Sequence, residues 1–179
     1  MERKFVKDTL EYVGQAVFVK GWVNARRDHG GLIFIDLRDH TGILQLTIQP
    51  DTAEAFEVAV SLRDEFVISA EGEVRERAED LKNPNIDTGS IELVVSKVTI
   101  LNKSDALPIQ VNSSQFVSED NRLKYRYLDL RRPKMQQTLK RRAEFYTYIR
   151  SYMENQDFIE VATPILANSS PEGARDFLV

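Results

Sequence analysis

Between residues 14 and 101 the chain breaks into short runs of β-branched, aliphatic and aromatic residues, each ended by turn formers, and this spacing admits little besides a small antiparallel β structure. The first run covers residues 16–23. It leads into Asp28-His29-Gly30-Gly31, where two glycines free to take positive φ predict a tight turn. Residues 32–38 then return as the second arm of a hairpin. A second turn, Asp39-His40-Thr41-Gly42, precedes residues 43–48, whose alternation puts Leu44, Leu46 and Ile48 on one face and displays Gln45 on the other. Two more strands are expected at residues 66–75 and 91–101, on either side of a turn-rich stretch with Asn83-Pro84-Asn85 and Thr88-Gly89.

Residues 51–62 interrupt the strand pattern. Ala55, Phe56, Val58, Ala59 and Leu62 recur at helical spacing behind acidic residues that suit a helix N-terminus. Five strands with one helix between the third and fourth is the layout of a β-barrel OB-fold. The expected organisation is therefore a barrel over residues 1–103, a linker over 104–118 containing Pro108, and the start of an α+β domain over 119–179. In that last part Ser118 precedes Glu119-Asp120 as a helix cap, and residues 134–155 carry an apolar stripe of Leu139, Ala143, Tyr146, Ile149 and Met153. A strand over residues 158–161 is expected next, stopped by Pro164.

Composition excludes several classes. No apolar run reaches the roughly 20 residues of a membrane helix, and the N-terminus has no secretory pattern, so a cytoplasmic protein is expected. The absence of cysteine removes disulfides and thiolate metal sites, and two histidines, His29 and His40, make a poor zinc site. The net charge of −4 conceals an asymmetry: residues 121–142 hold nine Lys or Arg against one acid, Asp129. Such a block is either a solvated, ion-paired face or a surface for a polyanion.

Phe34, Gln45 and the pair Arg26-Arg27 lie close together in the strand region. OB-folds bind single-stranded nucleic acid by stacking bases on strand aromatics while basic residues follow the phosphates. Phe34 could instead be a core residue. Period-two alternation argues otherwise, because Ile33, Ile35 and Leu37 can fill the interior and leave Phe34 and Asp36 outside. Glycine-rich phosphate loops, H-E-x-x-H and G-x-S-x-G are absent, and carboxylate pairs such as Glu71 with Glu73 or Asp36 with Asp39 read as solvated faces rather than catalytic dyads.

Two longer passages narrow the field. Residues 122–133, RLKYRYLDLRRP, and residues 170–179, SPEGARDFLV, together with Gly21-Trp22-Val23, Arg26-Arg27-Asp28 and residues 34–39, FIDLRD, resemble the bacterial aspartyl-tRNA synthetases, class II enzymes. The likeness runs from about residue 14 to the last residue. It implies that the barrel reads the anticodon of tRNA-Asp through Arg27, Phe34, Gln45, Arg77 and Glu92, with Phe34 as stacking platform and Gln45 as base-edge reader. Ala25 stands where relatives often carry a third consecutive arginine. The segment ending at Pro164 is similar to the family's dimer-forming motif, with Asp157 in place of a usual Gly and Ala162 in place of a usual Glu.

Glu172 matches a loop glutamate that holds the ammonium of L-aspartate in the family, and a carboxylate suits that cation. His29 and Asp80 fall where relatives differ in whether they also charge tRNA-Asn; a second reading of His29, as a residue of its tight turn alone, stays open. The implied reaction is activation of L-aspartate by ATP with Mg²⁺, then transfer to the tRNA 3′ end, by a homodimer. Charge stabilisation, not an enzyme nucleophile, would drive it. The ATP-clamping arginines of such enzymes find no counterpart in the sequence, so this polypeptide by itself is expected not to aminoacylate. Two other readings stay open: a stand-alone OB-fold nucleic-acid-binding module, and an amide-forming ligase grown on the same scaffold.

Overall fold

The computed structural model describes residues 1–165. Five strands form a closed ring: β2 (Ala16–His29), β3 (Leu32–Arg38), β4 (Ile43–Ile48), β5 (Val67–Glu76) and β6 (Ile91–Asn102). Neighbours run β2-β3-β4-β6-β5, and β5 pairs back onto β2 to complete the circuit. All contacts are antiparallel except β4 with β6, which are parallel. A sixth strand, β1 (Arg3–Lys4), lies parallel to β2 and was not expected from the sequence; with only two residues it leaves no periodicity to read.

The interior follows the period of two. Ile33, Ile35, Leu37, Leu44, Leu46 and Ile48 are fully buried, with Val17, Val19, Val23, Ile68, Val74 and Leu93 from the other strands. Helix α1 (Ala53–Ser61) closes one end, burying Ala55 and Ala59 with the adjoining Leu62. It packs chiefly on β6. The predicted hairpin is present: β2 and β3 pair through His29↔Leu32 around Gly30 and Gly31, with φ of +60° and +100°. Positive φ at both turn residues matches the twist of the flanking strands.

Strand β2 serves two partners, pairing with β5 over its first half and β3 over its second, with the changeover at Trp22, next to Gly21. A Cβ there would lie 3.0 Å from the Arg38 carbonyl carbon, so only glycine lets the strands approach this closely. One bulge leaves Asn24 unpaired between Val23 and Ala25. It turns the Asn24 side chain toward Arg38, whose Nη1 donates to Oδ1 at 2.7 Å.

Residues 103–118 lead away from the ring and contribute Ile109 and Val111 to a small second core around Leu128, separate from the first. Helix α2 (Glu119–Lys124) starts at Ser118, whose hydroxyl accepts the Asn121 N–H, as expected of a cap. Short α3 (Arg126–Asp129) and long α4 (Pro133–Glu154) follow, the latter opened by a proline at its first turn. The stripe read on α4 is not a buried face: Leu139, Tyr146, Ile149 and Met153 are all about two-fifths exposed. The strand expected at residues 158–161 does not form. No described strand lies alongside to accept its hydrogen bonds, and apolar alternation alone cannot hold an extended segment in a ladder. No described helix is long and apolar enough to cross a membrane.

Candidate nucleic-acid interface

The outer faces of β2, β3, β4 and β6 bring together residues up to 65 positions apart in sequence. Register places Arg27 opposite Phe34, Phe34 opposite Thr47, and Asp36 opposite Gln45. Because residues two apart share a face, Phe34 and Asp36 both point away from the core, as alternation predicted. Phe34 is half-buried; its ring meets the exposed His29 edge-on, with centroids 5.9 Å apart.

A chain of hydrogen bonds crosses this face. Arg27 grips Asp36 through both terminal nitrogens, Nη1 to Oδ2 and Nη2 to Oδ1, each 2.7 Å. This fork-to-carboxylate pair holds the guanidinium flat and raises its already high pKa further. Arg27 Nη2 also approaches Gln45 Oε1 at 3.5 Å. Gln45 Nε2 donates to Glu92 Oε2 at 3.1 Å, and Thr47 Oγ1 donates to the same oxygen at 2.7 Å. Glu92 Oε1 accepts no hydrogen bond among the described residues.

Gln45 is consequently not displayed in the open. It is 7% exposed, covered by the Arg27 and Glu92 side chains that hold it. A primary amide has two donors and a two-lone-pair acceptor, so the network fixes its orientation yet leaves it able to bond a base. Asp36 and Thr47 join the site although sequence reasoning gave them no role in it. For Asp36 the signal was available in its shared face with Phe34; Thr47 needed the three-dimensional pairing with β6.

The remaining candidates are more scattered. Arg77, just beyond β5, is half-buried, and its Nε is inaccessible and without a hydrogen-bond partner among the described residues. Asp80 sits exposed in a 3-10 turn (Glu79–Leu81), and no hydrogen bond or salt bridge joins it to His29. Pro164 lies in an exposed, irregular segment. Glu172 falls outside the described residues.

The basic block divides between the two readings offered for it. Arg122, Arg126 and Arg132 converge on Asp129, at 3.1, 2.6 and 3.7 Å. Arg131 reaches Glu65. Lys134, Lys140 and Arg141 form no salt bridge with a described residue and extend from an exposed part of α4. Four of the nine cations thus hold the protein together; of the other five, Lys124 ends α2 and the rest lie on α4.

Two carboxylates respond to their surroundings in the same way. Burial would push Asp129 up, but the hydrogen bond from Arg122 and the charges of Arg122, Arg126 and Arg132 bring it below the ordinary range. At Asp39 burial is likewise outweighed, here by Thr41 and by the backbone N–H groups of Val6, Thr41 and Gly42. A carboxyl that titrates lower folded than unfolded gives its full stabilisation above about pH 4 and loses it as pH falls through the lowered value. The thermal midpoint is therefore expected to drop between about pH 5 and pH 2, and the Asp39→Asn variant to show a flatter acid limb. Parallel limbs for the two proteins would count against these assignments.

Comparisons with known proteins agree on both parts of the chain. Residues 17–101 match the OB-fold nucleic acid binding domain family, and residues 118–179 match the family of class II tRNA synthetases (D, K and N). An aspartate–tRNA(Asp/Asn) ligase from Bacillus mycoides is 54% identical over 97% of the chain, which spans 29% of that relative's length. Among solved structures, asparaginyl-tRNA synthetase from Pyrococcus horikoshii complexed with asparaginyl-adenylate superimposes with a TM-score of 0.81 at 26% identity, over 97% of this chain and 39% of that one. Aspartyl-tRNA synthetase from Entamoeba histolytica gives 0.78 over 96% of this chain and 41% of its own; at 18% identity the likeness is one of fold.

Proposed function

The chain is a relative of the bacterial aspartyl-tRNA synthetases, with an OB-fold nucleic acid binding segment and a class II tRNA synthetase segment, and from that premise we propose that its ring reads the anticodon of tRNA-Asp. The observation that carries the reading is the outer face of β3. There a half-buried aromatic ring, Phe34, adjoins a guanidinium, an amide and a carboxylate already held in one hydrogen-bonded row.

Each group has a use in reading a flipped-out base. Phe34 offers a stacking surface that accepts any base. Gln45 supplies a donor and an acceptor in fixed orientation, and Glu92 Oε1 an acceptor for a base N–H, so discrimination falls to these two. Arg77, half-buried just beyond β5, would contribute a cation for phosphate or base. His29, beside Phe34, and Asp80 are the positions through which tRNA-Asn would be admitted or refused.

The protein as a whole is proposed to be an aspartate–tRNA ligase of the cytoplasm, using ATP with Mg²⁺ and L-aspartate and acting as a homodimer. In this arrangement residues 1–103 form the anticodon-binding unit, 104–118 the linker and 119–179 the beginning of the catalytic domain. Glu172 would bind the aspartate ammonium and the segment ending at Pro164 would belong to the subunit interface.

Binding of the chain to anticodon stem-loops of tRNA-Asp, tRNA-Asn and an unrelated tRNA, at two salt concentrations, tests the reading. A preference of at least about tenfold for the aspartate loop over the unrelated one is expected, since a good bidentate base contact discriminates by roughly 1–3 kcal/mol. Equal binding to all three, falling steeply with salt, would reduce the face to a generic basic surface.

A further inference from the structure

Glu65 follows α1 and precedes β5, in a conformation few non-glycine residues adopt, with φ of +65°. A left-handed residue with a side chain costs of order 1 kcal/mol and persists where its surroundings over-determine it. Here they do. The Glu65 N–H donates to the Val23 carbonyl at 2.7 Å, and its carboxylate is 6% exposed. That carboxylate takes two bonds from Arg38 Nη2, at 2.7 and 2.9 Å, and pairs with Arg131 Nη2 at 2.7 Å.

Arg38 belongs to the ring, whereas Arg131 comes from the basic block after α3. The Arg131 guanidinium also lies over the Trp22 ring, 5.1 Å from its centroid. Beside it Asn112 Nδ2 donates to the Asn24 carbonyl exposed by the β2 bulge. The two hydrophobic cores do not merge, so these polar contacts form the joint between them. Arg38 is also the last residue of the β3 outer row, following Phe34 and Asp36, which puts the joint in line with the proposed reading face.

We propose that Glu65 is a positioning residue: it locks Arg131 onto the ring and sets a single angle between the reading face and α4, whose free cations then meet the body of the same RNA. The lock stands on geometry alone; its consequence for RNA rests on the anticodon reading. A buried carboxylate shared by two guanidinium groups is directional, and the Arg131–Glu65 ion pair together with the Arg131–Trp22 stack fixes Arg131 at two points where a purely apolar contact would permit sliding.

Because the chain has no cysteine, spin labels can be placed uniquely at Glu57→Cys on α1 and Glu144→Cys on α4, both exposed. Electron–electron distance measurements are expected to give one narrow distribution, broadened in Arg131→Gln and in Glu65→Gln. Arg131→Gln leaves the ring's own contacts intact, so it remains informative if Glu65→Gln unfolds. An unchanged narrow distribution in a folded Arg131→Gln protein would overturn the lock.

On RNA, Arg131→Gln should leave affinity for the isolated aspartate anticodon stem-loop within about twofold while weakening whole tRNA-Asp at least about tenfold, since two linked contacts lose their fixed geometry. Equal effects on both ligands would overturn the positioning role. Failure of the unmodified chain to bind the stem-loop would instead strike the anticodon reading and leave the distance result standing.

Discussion

Gly72→Ala is expected to be the most damaging single-methyl substitution in the ring. Gly72 lies in β5 between two partners, opposite Val17 of β2 and Val95 of β6. The β5–β6 register slips between Glu71 and Gly72, leaving Ser96 without a partner, and β6 curls tightly across the glycine. An added Cβ would collide with the Val94 carbonyl oxygen and lie 2.8 Å from its carbon and 2.9 Å from Val95 Cα. All three are backbone atoms on a strand that also pairs with β4, so no flexible side chain can move aside. Overpacking typically costs about 1–3 kcal/mol and occasionally more. With backbone as the obstacle, about 3 kcal/mol or more is expected, a large share of the roughly 5–15 kcal/mol of a typical domain. Urea unfolding measures it, with Gly42→Ala as control, because a Cβ at Gly42 meets only the end of the Val6 side chain at 3.4 Å. If the two variants share one midpoint, the crowding argument at Gly72 fails.

Phe34→Ala should separate binding from folding. The ring lies outside the core, so its loss costs the fold no more than about 1 kcal/mol of strand preference. Stacking of a base is worth roughly 1–3 kcal/mol, which corresponds to about 5- to 150-fold in affinity for the aspartate stem-loop. Phe34→Tyr should recover most of it. Since a ring neutralises no phosphate, the dependence of binding on salt should keep its slope. Wild-type affinity in the alanine variant would remove Phe34 from the site altogether.

What could be read in the sequence was whatever depends on local period and turn chemistry. Ile33, Ile35 and Leu37 against Phe34 and Asp36 is a two-residue alternation, and it put the first three inside and the other two outside, as the structure has them. Gly30-Gly31 announced the hairpin because positive φ is a property of single residues. The row linking Arg27, Asp36, Gln45, Thr47 and Glu92 was only half legible. Gln45 and Glu92 are 47 positions apart, and their bond exists because β4 and β6 pair in parallel, which no local pattern encodes. The basic block left two readings open for a related reason: its charge count included Asp129 but could not show that three arginines converge on it, or that distant Glu65 takes a fourth. Residues 158–161 have a strand's composition, but a strand needs a neighbour.

The closure of the ring also has a consequence in time. The first half of β2 pairs with residues of β5 about 50 positions further on, from Ala16↔Glu73 to Trp22↔Val67. At a synthesis rate of about 5–20 residues per second, that partner emerges some 3–10 s later. During those seconds the nascent chain can form the β2–β3–β4 meander from local pairings alone, but half of its longest strand waits open-edged. Loop-closing contacts of this span also slow refolding of the finished chain, toward the millisecond-to-second range typical of small barrels. The ring protects every long strand edge once shut, and its period of vulnerability is set by how late in synthesis β5 appears.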